Sequence, residues 1–180
     1  MKPTLRSALF VLALGSAFIV PAAFAYDSNA WQSAQADFQR ARAGEAGAAT
    51  DAAEKFSKLV ATEPTNPLLL AYLGSAQSMQ GRDAWAPWKK MKFVEAGLAD
   101  IDRALALLKP EHAQAPAGGV SVSNEVKLTA ASTYLGLPGF FNRADAGAKL
   151  AKELAAQPGF ATTPERYRSA VLKLTAKAKS

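Results

Sequence analysis

The chain has 180 residues, no cysteine, one histidine and a formal net charge of +6. Without cysteine it can form no disulfide and no lipid-anchored lipoprotein, and a single histidine leaves the usual zinc ligand sets incomplete. The positive charge is mild and is not concentrated in one basic stripe, so nucleic acid is not an expected partner.

The N-terminal segment, residues 1–25, has the order of a secretory signal peptide. Lys2 and Arg6 precede the uncharged, mostly apolar run SALFVLALGSAFIV, and the segment ends in small-x-small at Ala23-Phe24-Ala25. The apolar run is shorter than the roughly 20 residues that span a bilayer, which disfavours an N-terminal anchor. We therefore predict cleavage after Ala25, a periplasmic or secreted location, and no membrane insertion after cleavage.

The mature part, residues 26–180, carries many helix boundary signals and almost no strand signal. Asn66 followed by Pro67 is typical of a helix start, as is Thr163 followed by Pro164. The sequence therefore predicts one all-α domain of about seven helices. Their expected ranges are 28–43, 49–62, 67–80, 87–108, 124–136, 143–156 and a C-terminal capping helix at 164–178. We also expect a flexible linker near 111–122, where proline and glycine are frequent.

Two predicted helix ends share one spacing of a small residue, a large apolar residue and a proline. The positions are Ala52, Phe56 and Pro64 in one segment and Ala146, Leu150 and Pro158 in the other. Tyr-Leu-Gly triplets at 72–74 and 134–136 add to the similarity. The pattern resembles the tetratricopeptide repeat, in which such residues mark the second helix of each hairpin. The resemblance covers most of the mature chain and implies stacked antiparallel helical hairpins, a TPR-like fragment of an α-solenoid.

The segment GRDAWAPWKKMKF, residues 81–93, interrupts this repeat and holds two of the three tryptophans. The next small–large–stop pattern, at Gly97, Ile101 and Pro110, comes about eleven residues late for a 34-residue period. We interpret the segment as an insertion that lengthens one hairpin.

The orientation of Trp88 follows from a helical wheel started at Pro87. Trp88 falls about 100° from the middle of the apolar stripe of its helix. It either packs against a neighbouring helix or loop, or forms the exposed wall of a groove. The same two alternatives apply to Trp85. The expected stripe consists of Met91, Val94, Leu98, Ile101 and Leu105.

Lysines crowd the start of the same predicted helix. Lys89, Lys90 and Lys92 lie in its first turns with Arg82 nearby, and free backbone N–H groups at a helix start favour anions. Lysines on a solvent-facing surface would explain the same pattern. The predicted partner- or ligand-binding residues are Arg82, Trp85, Trp88, Lys89, Lys90 and Lys92.

A second segment of interest is LPGFFNRADAG, residues 137–147. We expect one of Phe140 and Phe141 to fill the core beneath the loop. Asn142 is a candidate cap for the following helix. Arg143 is expected to pair locally with Asp145.

Catalytic and cofactor chemistry has little support in this sequence. His112 lies in the predicted linker, Asp100 and Asp102 fall on different faces of their helix, and Gly118-Gly119 is not a phosphate loop. We predict no catalytic residue, no cofactor and no metal site. An enzyme that uses only carboxylates remains an alternative.

The leading functional prediction is a protein–protein interaction module of the cell envelope. The repeat resemblance implies that a peptide or protein partner binds on the concave face of the stacked hairpins, and such a module could serve a larger membrane complex. The alternative is a binder of small anionic ligands that uses the 82–92 cluster. An open groove would favour the interaction module, and a closed pocket would favour the small-ligand binder. Two carboxylates that face each other across a cleft would favour the carboxylate enzyme.

Overall fold

A computed structural model describes residues 27–115 and 119–179. Within that part of the chain there are seven α-helices and no strand, which confirms the predicted all-α class. The helices are α1 (Ser28–Arg42), α2 (Ala48–Thr62), α3 (Pro67–Asp83), α4 (Pro87–Ala106), α5 (Val122–Gly136), α6 (Ala144–Ala156) and α7 (Glu165–Lys177). The predicted signal peptide, residues 1–25, lies outside the described residues.

The helices pack as three successive hairpins followed by α7. Helix α1 packs on α2, α3 on α4 and α5 on α6. Consecutive hairpins meet through α2 with α3 and through α3 with α5, and α7 closes the row against α6. The predicted arrangement of stacked helical hairpins is therefore present.

The start of α3 shows why the boundary signals were informative. Asn66 Oδ1 accepts hydrogen bonds from the backbone N–H groups of Leu68 at 3.0 Å and Leu69 at 3.3 Å. Pro67 occupies the first helical position, where its missing N–H costs nothing. These contacts satisfy donors that a helix start otherwise leaves open.

Two other predicted caps are wrong. The Thr163 hydroxyl donates to the carbonyl oxygen of Phe160 at 2.7 Å instead of capping α7. Asn142 has a left-handed backbone, with φ of 54°, and Arg143 occupies the N-cap position of α6. In both cases the polar residue ends a short 3-10 turn that comes just before the helix. The sequence spacing did not indicate these turns.

Aromatic side chains form the core between the first two hairpins. Phe56 and Ala52 are fully buried on α2, as the repeat pattern predicted. The ring of Tyr72 stacks on Phe56, with centroids 5.3 Å apart, and Phe38 meets Tyr72 edge-on at 4.8 Å. One aromatic cluster thus joins α1, α2 and α3.

The small residue that the repeat pattern predicted on α6 is wrong by one position, whereas the large residue, Leu150, packs against the core cluster that contains Val94. Ala146 is exposed, whereas Gly147 is buried where α6 crosses α5. A Cβ on Gly147 would lie 2.8 Å from the Cγ of Leu135, so only glycine permits this approach. Leu150 is partly buried, and Leu154 is the leucine fully buried on α6. Small residues occupy the adjacent positions 146–148 of α6. A spacing pattern therefore could not decide which of them faces α5.

The region predicted as a linker, 111–122, includes residues 116–118, which are not described. Before them, Pro110–Ala113 forms one 3-10 turn in which His112 Nδ1 accepts from the backbone N–H of Lys109 at 3.0 Å. After them, α5 begins at Val122, and Ser121 caps it through its side chain.

Candidate functional site

A groove of about 1790 Å³ runs along the first helix of each hairpin. Helices α1, α3, α5 and α7 line it, together with the start of α4 and the loop at 137–141. None of the residues that line it belongs to α2 or α6, so these helices lie behind the groove wall. Exposed lining residues such as Arg42 and Ser132 show that the groove opens to solvent.

Polar side chains connect the groove walls of α3 and α5. The Tyr72 hydroxyl donates to Glu125 Oε1 at 2.6 Å, and the hydroxyls of Ser75 and Thr133 are hydrogen-bonded at 2.9 Å. Burial raises the pKa of Tyr72, and the nearby Glu125 carboxylate adds to the shift. The tyrosine therefore stays a neutral donor, and one oxygen of Glu125 is already engaged.

Trp31 on α1 supplies an aromatic part of the groove wall. Its ring meets Tyr72 edge-on, with centroids 5.3 Å apart, and lies 5.8 Å from Phe56. Trp31 was not among the residues predicted from the sequence. Its spacing to Phe38, seven residues later on the same helix face, could have indicated it.

The charges of the groove are predominantly positive. Glu125 is the single carboxylate among the described residues that line it, and its partner is Tyr72. The cations that line it are Arg42, Arg82, Lys90, Arg166 and Lys173. The groove therefore presents a basic rim around an apolar and hydroxyl-bearing interior.

The six predicted site residues divide into two groups. Arg82 and Lys90 line the groove, whereas Trp85, Trp88, Lys89 and Lys92 do not. The Arg82 guanidinium pairs with Asp83 at 2.6 Å and donates to the Ala41 carbonyl oxygen at 3.1 Å, which ties the end of α3 to α1.

The two tryptophans of the 81–93 segment face solvent. Trp85 is 80% exposed and Trp88 is 67% exposed. Their rings meet edge-on with centroids 5.8 Å apart. The alternative in which Trp88 packs on a neighbouring helix or loop is therefore wrong, and Trp88 does not form the wall of a groove either, because it is not among the residues that line this one.

Most of the predicted apolar stripe of α4 is buried, with one exception. Val94, Leu98 and Ile101 belong to the core, and Leu105 packs against it. Met91 is 40% exposed and lines the groove, so its assignment to the core is wrong. The core cluster begins on α4 at Val94, so Met91, three residues earlier, is not covered by it.

The Phe140–Phe141 pair divides as expected. Phe141 packs against the core cluster that contains Val94, whereas Phe140 is 67% exposed and lines the groove. The prediction that one of the two fills the core is confirmed.

Arg143 does not form the predicted pair with Asp145. Its guanidinium binds both oxygens of Asp102 on α4, at 2.6 and 3.2 Å, and lies 5.4 Å above the centre of the Tyr134 ring. The Tyr134 hydroxyl donates to the same carboxylate at 2.5 Å. This arrangement joins the second and third hairpins.

Metal ligands and membrane-spanning helices are two further features that could indicate a function. Within residues 27–115 and 119–179, no group of three histidine, aspartate or glutamate side chains could hold a metal ion. No helix in the same ranges has the length and apolar character needed to cross a membrane.

Comparisons of the chain with protein-family models, with curated proteins and with solved structures found no match. Function is therefore inferred from the geometry and chemistry of the groove and of the exposed tryptophans.

Proposed function

We propose that the chain is a tetratricopeptide-like interaction module of the cell envelope that holds a segment of a peptide or protein partner in its groove. The size of the groove carries this proposal. Small-molecule pockets usually enclose about 300–1,000 Å³, whereas this groove measures about 1790 Å³ and is open to solvent. Such a space suits a length of polypeptide better than a small ligand.

The lining of the groove favours an acidic partner segment. Five cations and a single carboxylate are among its described lining residues, and one of the cations, Arg82, is already paired with Asp83. Complementary charge accelerates association and excludes partners of the wrong sign. Aromatic and apolar walls near Trp31 and Phe140 would accept apolar side chains of the same segment.

The alternative of a small anionic ligand held by the 82–92 cluster has less support. Four of its six predicted residues lie outside the groove, and Trp85 and Trp88 protrude into solvent instead of closing a pocket. Envelope location follows from the predicted signal peptide, and service to a larger membrane complex is part of the same proposal.

Site-specific photo-crosslinking in the producing cell tests the groove as the binding surface. A photoreactive residue at Gln35 or Ser132 lies in the groove, whereas one at Lys152 on α6 lies outside it. We expect the groove positions to crosslink one partner reproducibly and the α6 position to crosslink none. Equal yields from Lys152, or none from the groove, would overturn the proposal.

A further inference from the structure

The connection between α3 and α4 and the first turn of α4 expose two tryptophans that do not line the groove. We define the tryptophan tip as Trp85, Trp88, Lys89 and Lys92, none of which lines the groove. Both tryptophans are at least two-thirds exposed and touch each other. Both lysines are exposed, and the only carboxylate of residues 81–93, Asp83, is paired with Arg82.

We propose that the tryptophan tip docks the protein on an anionic lipid bilayer. Indole rings have an apolar body and one N–H donor, so they prefer the boundary between hydrocarbon and water. Lysines beside them gain energy near anionic headgroups. In this arrangement Trp85 and Trp88 enter the interfacial layer while Lys89 and Lys92 contact the headgroups, and no helix crosses the membrane.

The chemistry of the tip favours a bilayer over a protein partner. Protein interfaces are enriched in tryptophan and arginine but depleted in lysine, whereas the cations of the tip are lysines. Tryptophans that dominate protein binding fill pockets of the partner, and they rarely stand beside lysines; here both indoles are solvent-exposed and flanked by lysines. A flat anionic surface accepts an exposed pair of indoles flanked by mobile point charges.

This inference is independent of the groove, because the two surfaces share no residue. If both hold, docking through the tip would keep the groove near partners at the membrane. Failure of either proposal would leave the other intact.

Vesicle flotation tests the inference with the chain from Tyr26 onward, which contains every described helix. The probes are vesicles of phosphatidylcholine alone and of phosphatidylcholine mixed with phosphatidylglycerol. We expect flotation and a blue shift of tryptophan emission with the anionic vesicles only. Binding should weaken with added salt, because exposed charges are screened.

Paired variants distinguish binding through the tip from membrane attraction that any exposed lysine or apolar side chain would cause. The change Lys89→Gln with Lys92→Gln should lower partitioning about fivefold per lysine, and Trp85→Ser with Trp88→Ser should lower it at least about tenfold and remove the emission shift. The controls are Lys149→Gln with Lys152→Gln, and Leu172→Ser, which remove equal charge and an exposed apolar side chain elsewhere.

The outcomes that would overturn the inference are specific. One is the absence of flotation at low salt with anionic vesicles. Another is a control pair that weakens binding as much as the tip pair. A third is crosslinking of the tip to a protein without vesicle binding, which would make the tip a protein-docking surface. Thermal melts of each variant would show that its fold is retained.

Discussion

The backbone of Gly74 on α3 lies directly against the backbone of Gly97 on α4. A Cβ atom built on either glycine would lie 2.3 Å from the carbonyl oxygen of the other. Real Cβ atoms do not approach backbone oxygens so closely, so this crossing requires glycine on both helices. The contact fixes how α4 lies behind α3, which forms part of the groove wall.

The first prediction follows from this crossing. Gly97→Ala should lower the free energy of unfolding by about 1–3 kcal/mol, because overpacking forces the two helices apart. Gly136→Ala is the matched control, since no atom lies within 4 Å of the position that its Cβ would take and Gly136 ends α5 without a positive φ. The control should be neutral or slightly stabilising. Urea melts of both variants compare them.

The second prediction concerns the core positions of the repeat pattern. Phe56→Ala should cost about 3–5 kcal/mol, because Phe56 is fully buried in the aromatic cluster. On α6, Leu154→Ala should cost more than Leu150→Ala, since Leu154 is 1% exposed and Leu150 only partly buried. Denaturant melts measure all three. A larger loss from Leu150→Ala would make Leu150 the main core leucine of α6, as the repeat pattern predicted.

Local signals explain which parts of the fold could be predicted from the sequence. Asn66 and Pro67 determine the start of α3 through contacts within three residues, so spacing alone located that boundary. Phe56 was recognised because the repeat that the sequence resembles places a large core residue at this spacing. Because the predicted helices follow one another with mostly short connections, antiparallel hairpins stacked in chain order were the expected arrangement.

Contacts between distant residues explain what could not be predicted. The pairing of Arg143 with Asp102 spans 41 positions, and nothing near Arg143 excluded the closer Asp145. The groove combines residues from five helices, so nothing local indicated that Trp31 and Glu125 line one shared surface. The exposure of Trp88 likewise depended on whether a distant segment packs against the first turn of α4, and the local sequence does not contain that information.

The third prediction is a loss of stability in acid that depends on Asp37. This α1 carboxylate is 4% exposed and binds Lys55 of α2 at 2.5 Å and Arg40 at 2.7 Å. The hydrogen bond from Lys55, with help from Arg40, holds the pKa of Asp37 below its usual value. A lowered pKa contributes stability above the unfolded value of about 3.9, and this is lost as pH falls through the folded value.

Replacing the carboxylate tests that dependence. Asp37→Asn should lower the free energy of unfolding by about 1–3 kcal/mol at neutral pH, and its stability should fall less steeply below about pH 4. Glu54→Gln, an exposed change on α2, serves as control. Parallel pH dependences of Asp37→Asn and the unmodified chain would contradict the role of Asp37.

The fourth prediction tests the basic rim of the groove. Arg166→Glu with Lys173→Glu should reduce crosslinking from Ser132 about tenfold or more, because both side chains line the groove and their reversal repels an acidic segment. The loss should be greater at low salt. Lys149→Glu with Lys152→Glu applies the same charge change on α6. Equal losses from both pairs would indicate non-specific attraction and no acidic segment in the groove.

The fifth prediction separates packing from surface exposure among the tryptophans. Trp88→Ala should change the free energy of unfolding by no more than about 0.5 kcal/mol, as is usual for exposed side chains, because 67% of Trp88 is exposed. The same change at Trp31 should cost about 2 kcal/mol or more, since its ring contacts those of Phe56 and Tyr72. Denaturant melts of the two variants provide the comparison. A loss of several kcal/mol from Trp88→Ala would mean that the ring packs in the folded protein, and the tryptophan tip would then have no exposed indole pair to place at a bilayer surface.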